Sequence, residues 1–417
     1  MKTLQLQGAL FIAIILSVTA CKKENITASA AITDQTTIDA SLQVADAKTI
    51  YLNSTISGNP QLQSIDIAGK IVNWTFEPNY VNPQHMYLDY FDVVPLAIND
   101  TLIYGGANVF KINKNTGAVT DSFKYVEYND YVEEIYYNNS VGYFNARKRI
   151  VYIADNMLIC KDAAGNTLWQ KPPTLSYGSA PVIKNNNLLV TDYRRIVCLN
   201  PLNGAQRWHY AALNPLRLNA LCVAGDTVFA VDEAANIYAI NTVSGALVWQ
   251  KQYGNTTGGG YGGAAQIAWY NGNIFLVSSG FLRCINAATG DELWHTADGI
   301  FSQNNFCISK GKVFIAGYTT SGDSFSSMFA FNASTGAVLW QNSDHSYQGM
   351  APVETGGTVY CSYLRNTGGL SESGLAGINI NTGETKWMYV VHAYAHSLTL
   401  ETLQGQIVYP VTSGEIN

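Results

Sequence analysis

Hydrophobic and polar positions along this chain alternate in short runs, and the runs recur in a fixed order. Apolar stretches of strand length begin near Leu102, Val151, Leu188, Val228, Ile274, Val313, Val359 and Ile407. Runs of this length between Gly, Asn and Asp clusters predict β-strands. Six residues before the first seven starts stand Leu96, Asn145, Val182, Cys222, Ala268, Cys307 and Val353. All but Asn145 are small or apolar, which marks an inner strand ahead of each run. A hairpin follows, clearest at 239–249, Ala-Ile-Asn-Thr-Val-Ser-Gly-Ala-Leu-Val-Trp. Residues 237–240 and 246–249 read as its strands, with a tight turn between Asn241 and Gly245. Glycine supplies the positive φ that such a turn requires.

Aligned on the Gly and the Trp four residues later, full copies of this hairpin lie at 198–208, 239–249, 284–294, 330–340 and 377–387. The copy at 160–169 is one residue short in its turn, and 67–74 has one extra residue after its Gly. A further copy at 111–117 has Asp121 where the Trp belongs. Glycines 69, 117, 165, 204, 245, 290, 336 and 383 thus recur about every 40 to 48 residues, a period of propellers and solenoids. Both counts give eight units, each of three strands plus an outer one ending in Trp. The last unit stops where its third strand is due, and the hairpin at about 62–74 has no inner strands before it. The pattern predicts an all-β, eight-bladed propeller of four-stranded antiparallel blades, closed by N- and C-terminal strands pairing in one blade, which hides open edges.

The repeat Ala-x-Asn-x-x-Thr/Ser-Gly-x-x-x-Trp resembles the tryptophan-docking repeat of the quinoprotein (PQQ-dehydrogenase-like) eight-bladed propellers, over roughly 62–417. The resemblance implies that Trp169, Trp208, Trp249, Trp294, Trp340 and Trp387 pack flat on a neighbouring blade's turn, at Gly204, Gly245, Gly290, Gly336 and Gly383. Asp121 puts the packing of its blade in question. Quinoprotein enzymes of this family carry adjacent cysteines over the cofactor, a calcium site and a catalytic Asp. This chain has no Cys-Cys pair and no assignable calcium set, so the repeat implies the fold without the chemistry. No catalytic residue, metal or cofactor is expected.

Composition agrees with strands and turns: 13% charged, 12% aromatic, 36 Gly and 26 Tyr. A net charge of −6 and the lack of any basic run argue against nucleic acid as a partner. The seven cysteines do not form a disulfide pattern. Cys198 and Cys284 fill the slot that Ala239, Ala330 and Gly377 occupy elsewhere, which points to small buried side chains.

Residues 1–20 read as a signal peptide, with an early Lys2 and an apolar core at 8–20 too short to span a bilayer. Val18-Thr-Ala-Cys21 resembles the lipobox of bacterial lipoproteins, which implies diacylation of Cys21 and attachment to the membrane through lipid. Lys22 after the Cys implies export to the outer membrane, on a side that the sequence leaves open. Residues 21–48, rich in Thr, Ala and Ser, read as a lipidated tether, and 49–417 as the propeller.

In a four-stranded meander the first-to-second and third-to-fourth connections share one end, and these are all short turns here. The insertions at 124–139, 253–266, 318–327, 342–349 and 363–374 fall at the other end. Loops on a rigid scaffold are the usual seat of binding, so Tyr128, Tyr131, Tyr136, Tyr137, Tyr261 and Arg365 are the candidate binding residues. The Tyr-rich 124–139 segment suits protein or sugar contact, but reads more readily as a short helical turn with Val132, Ile135 and Tyr136 packed on the propeller. The run 254–263 is Gly-rich but lacks the helix and Lys of a phosphate loop. His392 and His396 have no acid or Cys pattern nearby to complete a metal site. Asp155, Asp192 and Asp232 end equivalent strands and read as turn formers.

The architecture resembles the propeller lipoproteins of the outer-membrane β-barrel assembly machine. The expected function is a non-enzymatic scaffold binding an envelope protein. Glycan or small-molecule binding and a degenerate quinone-dependent enzyme are the alternatives.

Overall fold

A computed structural model describes residues 47–56, 59–78, 96–98, 100–105, 108–124, 141–144, 149–154, 157–162, 166–172, 181–184, 186–253, 267–278, 280–297, 306–318, 326–347, 351–367, 370–391, 394–404 and 407–408. Every regular element among them is a β-strand, and the strands form eight antiparallel sheets. All belong to one compact unit, Ile32–Asn417.

Sheets 2 to 8 follow chain order, their strands lying within 96–124, 141–171, 182–211, 216–252, 267–295, 306–342 and 346–390. Sheet 5 is representative, with Leu216–Ala224 innermost, then Thr227–Asp232, Asn236–Asn241 and Leu247–Gln252. Its outer turn shows why the repeat needs Asn and Gly. The Asn241 Oδ1 accepts from the amides of Val243 (3.0 Å) and Ser244 (2.9 Å), and the Gly245 amide closes on the Asn241 carbonyl at 2.9 Å with φ +72°. A Cβ on Gly245 would lie 2.8 Å from the Trp208 ring of the preceding sheet. Glycine is therefore required twice, for its φ and for the close approach.

The same contact joins neighbouring sheets along the chain. Trp74 lies on Gly117, Trp169 on Gly204, Trp249 on Gly290, Trp294 on Gly336 and Trp340 on Gly383. Each indole Nε1 also donates to a carbonyl of the next turn, as Trp208 does to Thr242 (2.9 Å) and Trp340 to Ile380 (2.9 Å). Trp387 of sheet 8 donates to Ile67 of sheet 1 at 3.0 Å, so the series returns to its start. Apolar clusters fill the space between sheets at these seams.

Across each hairpin the residue facing the Trp is small: Cys160, Cys198, Ala239, Cys284, Ala330 and Gly377. This pairing is the physical basis of the small slot. In sheet 2 both members change together. Lys111 stands opposite Asp121 and binds it at 2.7 Å, so an ion pair replaces the small residue and the Trp. In all eight sheets the residue before the Trp position is a β-bulge. A bulge in an outermost strand blunts the exposed edge.

Sheet 1 pairs strands from both ends of the chain, in the order Ile71–Phe76, Asn59–Asp66, Ala47–Ile56, Tyr394–Thr402, Ile407–Val408. The sequence pattern places the second strand of this sheet at Ile407. That place belongs to Ala47–Ile56, and Ile407–Val408 is a short fifth strand inside Tyr394–Thr402. In the outer turn of sheet 1 the left-handed residue is Lys70 (φ +52°), four before Trp74, where other repeats have Gly. Gly69 instead donates its amide to the Asp66 carboxylate at 2.6 Å.

Candidate functional site

Of the candidate binding residues at the loop end, Tyr128, Tyr131, Tyr136, Tyr137 and Tyr261 lie outside the described residues. Arg365 is described. It is exposed on Thr358–Thr367 and faces Glu372 on Leu370–Asn379. The segment 363–374, which reads as an insertion in the sequence, continues this hairpin. Its strands are ten residues long where equivalent strands of sheets 4 to 7 have five or six. At about 3.3 Å per residue, the extra four residues extend the hairpin by roughly 13 Å toward the loop end.

The base of this hairpin is tightly built. Ser346–Tyr347 adds to its inner edge. The fully buried Tyr347 donates to Asn342 Oδ1 at 2.9 Å, and Tyr363 donates to Glu372 Oε1 at 3.0 Å. Burial first, and the Glu372 carboxylate second, push the Tyr363 phenol well above its usual range, so it stays protonated and able to donate to Glu372. His345 lies 5.0 Å from the Tyr363 ring, with Nε2 3.2 Å from Met388 Sδ. Gly374 makes room for Tyr363, because a Cβ there would meet the Tyr389 carbonyl and the Tyr363 ring. Arg365 and Glu372 are thus displayed on a rigid arm.

A second patch at the loop end carries no signal in the sequence. Tyr193 has φ +52°, is 41% exposed, and lies under the Arg194 guanidinium at 5.6 Å. A bulky residue held in the left-handed region is uncommon and marks a site of strain or function. Leu213, from the next inter-sheet connection, is 63% exposed. The backbone fixes the patch through Leu216 N to Tyr193 O (2.7 Å) and Ala212 N to Arg194 O (2.6 Å).

Asp192 and Asp232 organise these turns. Asp232 is fully buried and accepts from the amides of Ala234 and Asn236, the side chains of Asn214 and Asn236, and the Tyr238 hydroxyl, all at 2.8–3.0 Å. Its oxygens are fully engaged in holding the turn. Asp192 binds Arg195 across the same turn of sheet 4. Asp155, His392 and residues 254–263 lie outside the described residues, and His396 stands on Tyr394–Thr402. Among the described residues no group of three His, Cys, Asp or Glu side chains could hold a metal ion.

Cys160, Cys198, Cys222, Cys284, Cys307 and Cys361 are free thiols and all are buried. Burial pushes the Cys198 thiol up to about 11 and the Cys284 thiol up to about 12, from the ordinary thiol value of 9.0. A thiol with a raised folded-state pKa stabilises the fold fully below its unfolded pKa, and loses that contribution as pH rises toward the folded value. Between pH 9 and about 11 both thiols stay protonated in the folded state while the unfolded chain ionises. The urea midpoint of the wild type is therefore expected to fall more steeply from pH 8.5 to 10.5 than that of the Cys198→Ala/Cys284→Ala variant. Identical slopes would contradict the assignment.

The sheets and their seams define a β-propeller of tryptophan-docked, quinoprotein-like repeats. The chain belongs to the family described as outer membrane protein assembly factor BamB, whose profile matches residues 154–305 and 283–416. It is 26% identical over 243 residues to the outer membrane protein assembly factor BamB of Yersinia pestis, covering 53% of this chain and 55% of that one. It is also 26% identical over 242 residues to the tetrathionate hydrolase of Acidithiobacillus ferrooxidans, covering 55% and 47%. The chain thus spans about half the length of the curated relatives it matches. The crystal structure of BamB from Moraxella catarrhalis superposes with a TM-score of 0.55 at 18% identity, covering 76% of this chain and 96% of that one, a likeness that shows the fold alone.

Proposed function

We propose that this chain is a non-enzymatic, lipid-anchored propeller of eight blades, closed through sheet 1, that binds an envelope protein through its loop end during outer-membrane protein assembly. The observation that carries the reading is the family match over more than half of the chain. Eight sheets, and a tryptophan series that returns from sheet 8 to sheet 1, support the closed ring. Cys21 is the proposed point of acylation. Arg365 and Glu372 on the projecting hairpin, with Tyr193, Arg194 and Leu213, offer the mixture of charged, aromatic and apolar groups that protein interfaces use.

The test is photo-cross-linking in the native membrane from a reactive residue at position 365, with the same residue at 243, in a short turn, as reference. The expected product joins position 365 to a β-barrel assembly protein, with a lower yield in the Cys21→Ala variant. Capture of no protein from position 365 would end the scaffold reading. The tetrathionate hydrolase similarity supports a second reading, an enzyme on the same fold. A chromophore or metal retained stoichiometrically by the purified protein would favour it.

A further inference from the structure

Eleven of the fourteen large apolar side chains exposed among the described residues lie at the short-turn end, and only Tyr193, Leu213 and Val390 lie at the loop end. The eleven are not scattered. In six of the eight sheets they occupy the opening positions of the outermost strand, as Ile71, Val119, Leu168, Val248, Leu293 and Val338 do. Val243 and Leu403, in turns at the same end, are 69% and 63% exposed.

The fold does not demand this. The residue before the docking Trp is the bulge residue, and in sheets 4 and 8 it is Arg207 and Lys386, both exposed. The position accepts a charge without loss of the seam, so Leu168, Val248, Leu293 and Leu339 in the equivalent place answer to something outside the sheet. Single exposed apolar residues need no explanation, but a recurrent rim confined to one end of a domain marks a contact surface. Unpaired outer edges are a poor match for an added strand, because the bulge interrupts every one of them.

The course of the chain says what covers the rim. Ala47–Ile56 is the second strand of sheet 1 and therefore starts at the short-turn end. The chain enters the propeller there at Ala47, beside exposed Lys48 and Lys70. We propose that the short-turn end faces the bilayer, with the apolar rim seated at the headgroup–acyl boundary and the loop end held away from it toward the protein partner. This deepens the proposed function and rests on its lipid anchor only for tethering. The rim has lipid affinity of its own, as apolar surface at an interface does.

The experiment uses the mature protein reconstituted on phosphatidylethanolamine–phosphatidylglycerol vesicles containing doxyl-labelled lipid. Val243→Cys and Leu213→Cys report from the two ends through an environment-sensitive fluorophore, the six described native thiols being buried. Doxyl quenching is expected to be at least about threefold greater at 243 than at 213. A Val248→Asp/Leu293→Asp/Val338→Asp variant with unchanged near-ultraviolet dichroism is expected to abolish the difference. Equal quenching at both ends, or stronger quenching at 213, would overturn the proposal. So would a fluorophore at 243 that is shielded without vesicles in a concentration-dependent manner, which identifies a second copy as the occupant. Intact mass reads acylation of Cys21 separately. If the chain carries no acyl group, the anchor falls and vesicle co-flotation decides the rim alone. Flotation that drops about tenfold in the triple variant sustains the rim, from the apolar area withdrawn from lipid, and absence of flotation overturns it.

Discussion

Trp340→Ala is expected to destabilise the protein by about 3–5 kcal/mol, the usual range for deleting a buried tryptophan. Trp340 is 8% exposed and belongs to the apolar cluster between sheets 7 and 8, beside Phe314 at 5.9 Å. Its ring covers Gly383, where a Cβ would lie 2.8 Å away, and its Nε1 donates to Ile380 at 2.9 Å. Removing the ring opens a cavity at the seam, and the small partner Ala330 cannot expand to fill it. Trp340→Phe keeps most of the burial and loses the indole hydrogen bond, at a cost of about 1 kcal/mol for that bond. Urea denaturation followed by far-ultraviolet dichroism checks both. An alanine variant within 1 kcal/mol of the wild type would mean that the seam is held by the strand residues rather than by the tryptophan.

The seams are legible in the sequence because each one solves the same problem with the same residues. A left-handed turn under a flat ring needs Gly, the ring needs Trp, and the residue opposite must be small. Where the solution changes, the sequence shows the loss but hides the replacement. Asp121 is visible as a missing Trp, whereas Lys111 becomes its partner only through the register of the hairpin. In sheet 1 the Gly is one residue out of place, and only the backbone reveals that Lys70 takes the left-handed position.

The strand Ala47–Ile56 is hard to read for another reason. Ile50 and Leu52 face sheet 8, while Tyr51 and Asn53 face sheet 2, so both sides are buried and one of them is polar. A strand of that kind shows no alternation of apolar and exposed positions. The loop end is legible only as the place where insertions gather. The Arg365–Glu372 hairpin is held together by backbone pairing between polar residues, which leaves no hydrophobic trace. The Tyr193 patch depends on a single φ, which composition does not report.

The polar side of that strand also carries a large expected effect. Glu401, on the C-terminal strand Tyr394–Thr402, accepts from Lys114 of sheet 2 at 2.9 Å and from Tyr51 of the N-terminal strand at 2.6 Å. Lys114 and Glu401 side chains are each 11% exposed. Burial, followed by the neighbouring carboxylate, pushes the Tyr51 phenol far above its usual range, so it remains a donor. One carboxylate therefore ties the two ends of the chain to the adjacent sheet. Glu401→Gln preserves shape and leaves the part-buried Lys114 ammonium without its counter-charge; breaking a fully buried pair costs about 3–5 kcal/mol, so about 3 kcal/mol is expected here. If the cost comes from the stranded charge, Lys114→Met added to Glu401→Gln should recover most of it, because the uncompensated ammonium is gone. A double-mutant cycle in urea gives the coupling directly. Because the pair is sheltered, the loss should change little between 0.05 and 0.5 M salt, in contrast with a surface pair. A Glu401→Gln variant as stable as the wild type, or one that Lys114→Met fails to restore, would mean that backbone pairing alone joins the N- and C-terminal strands.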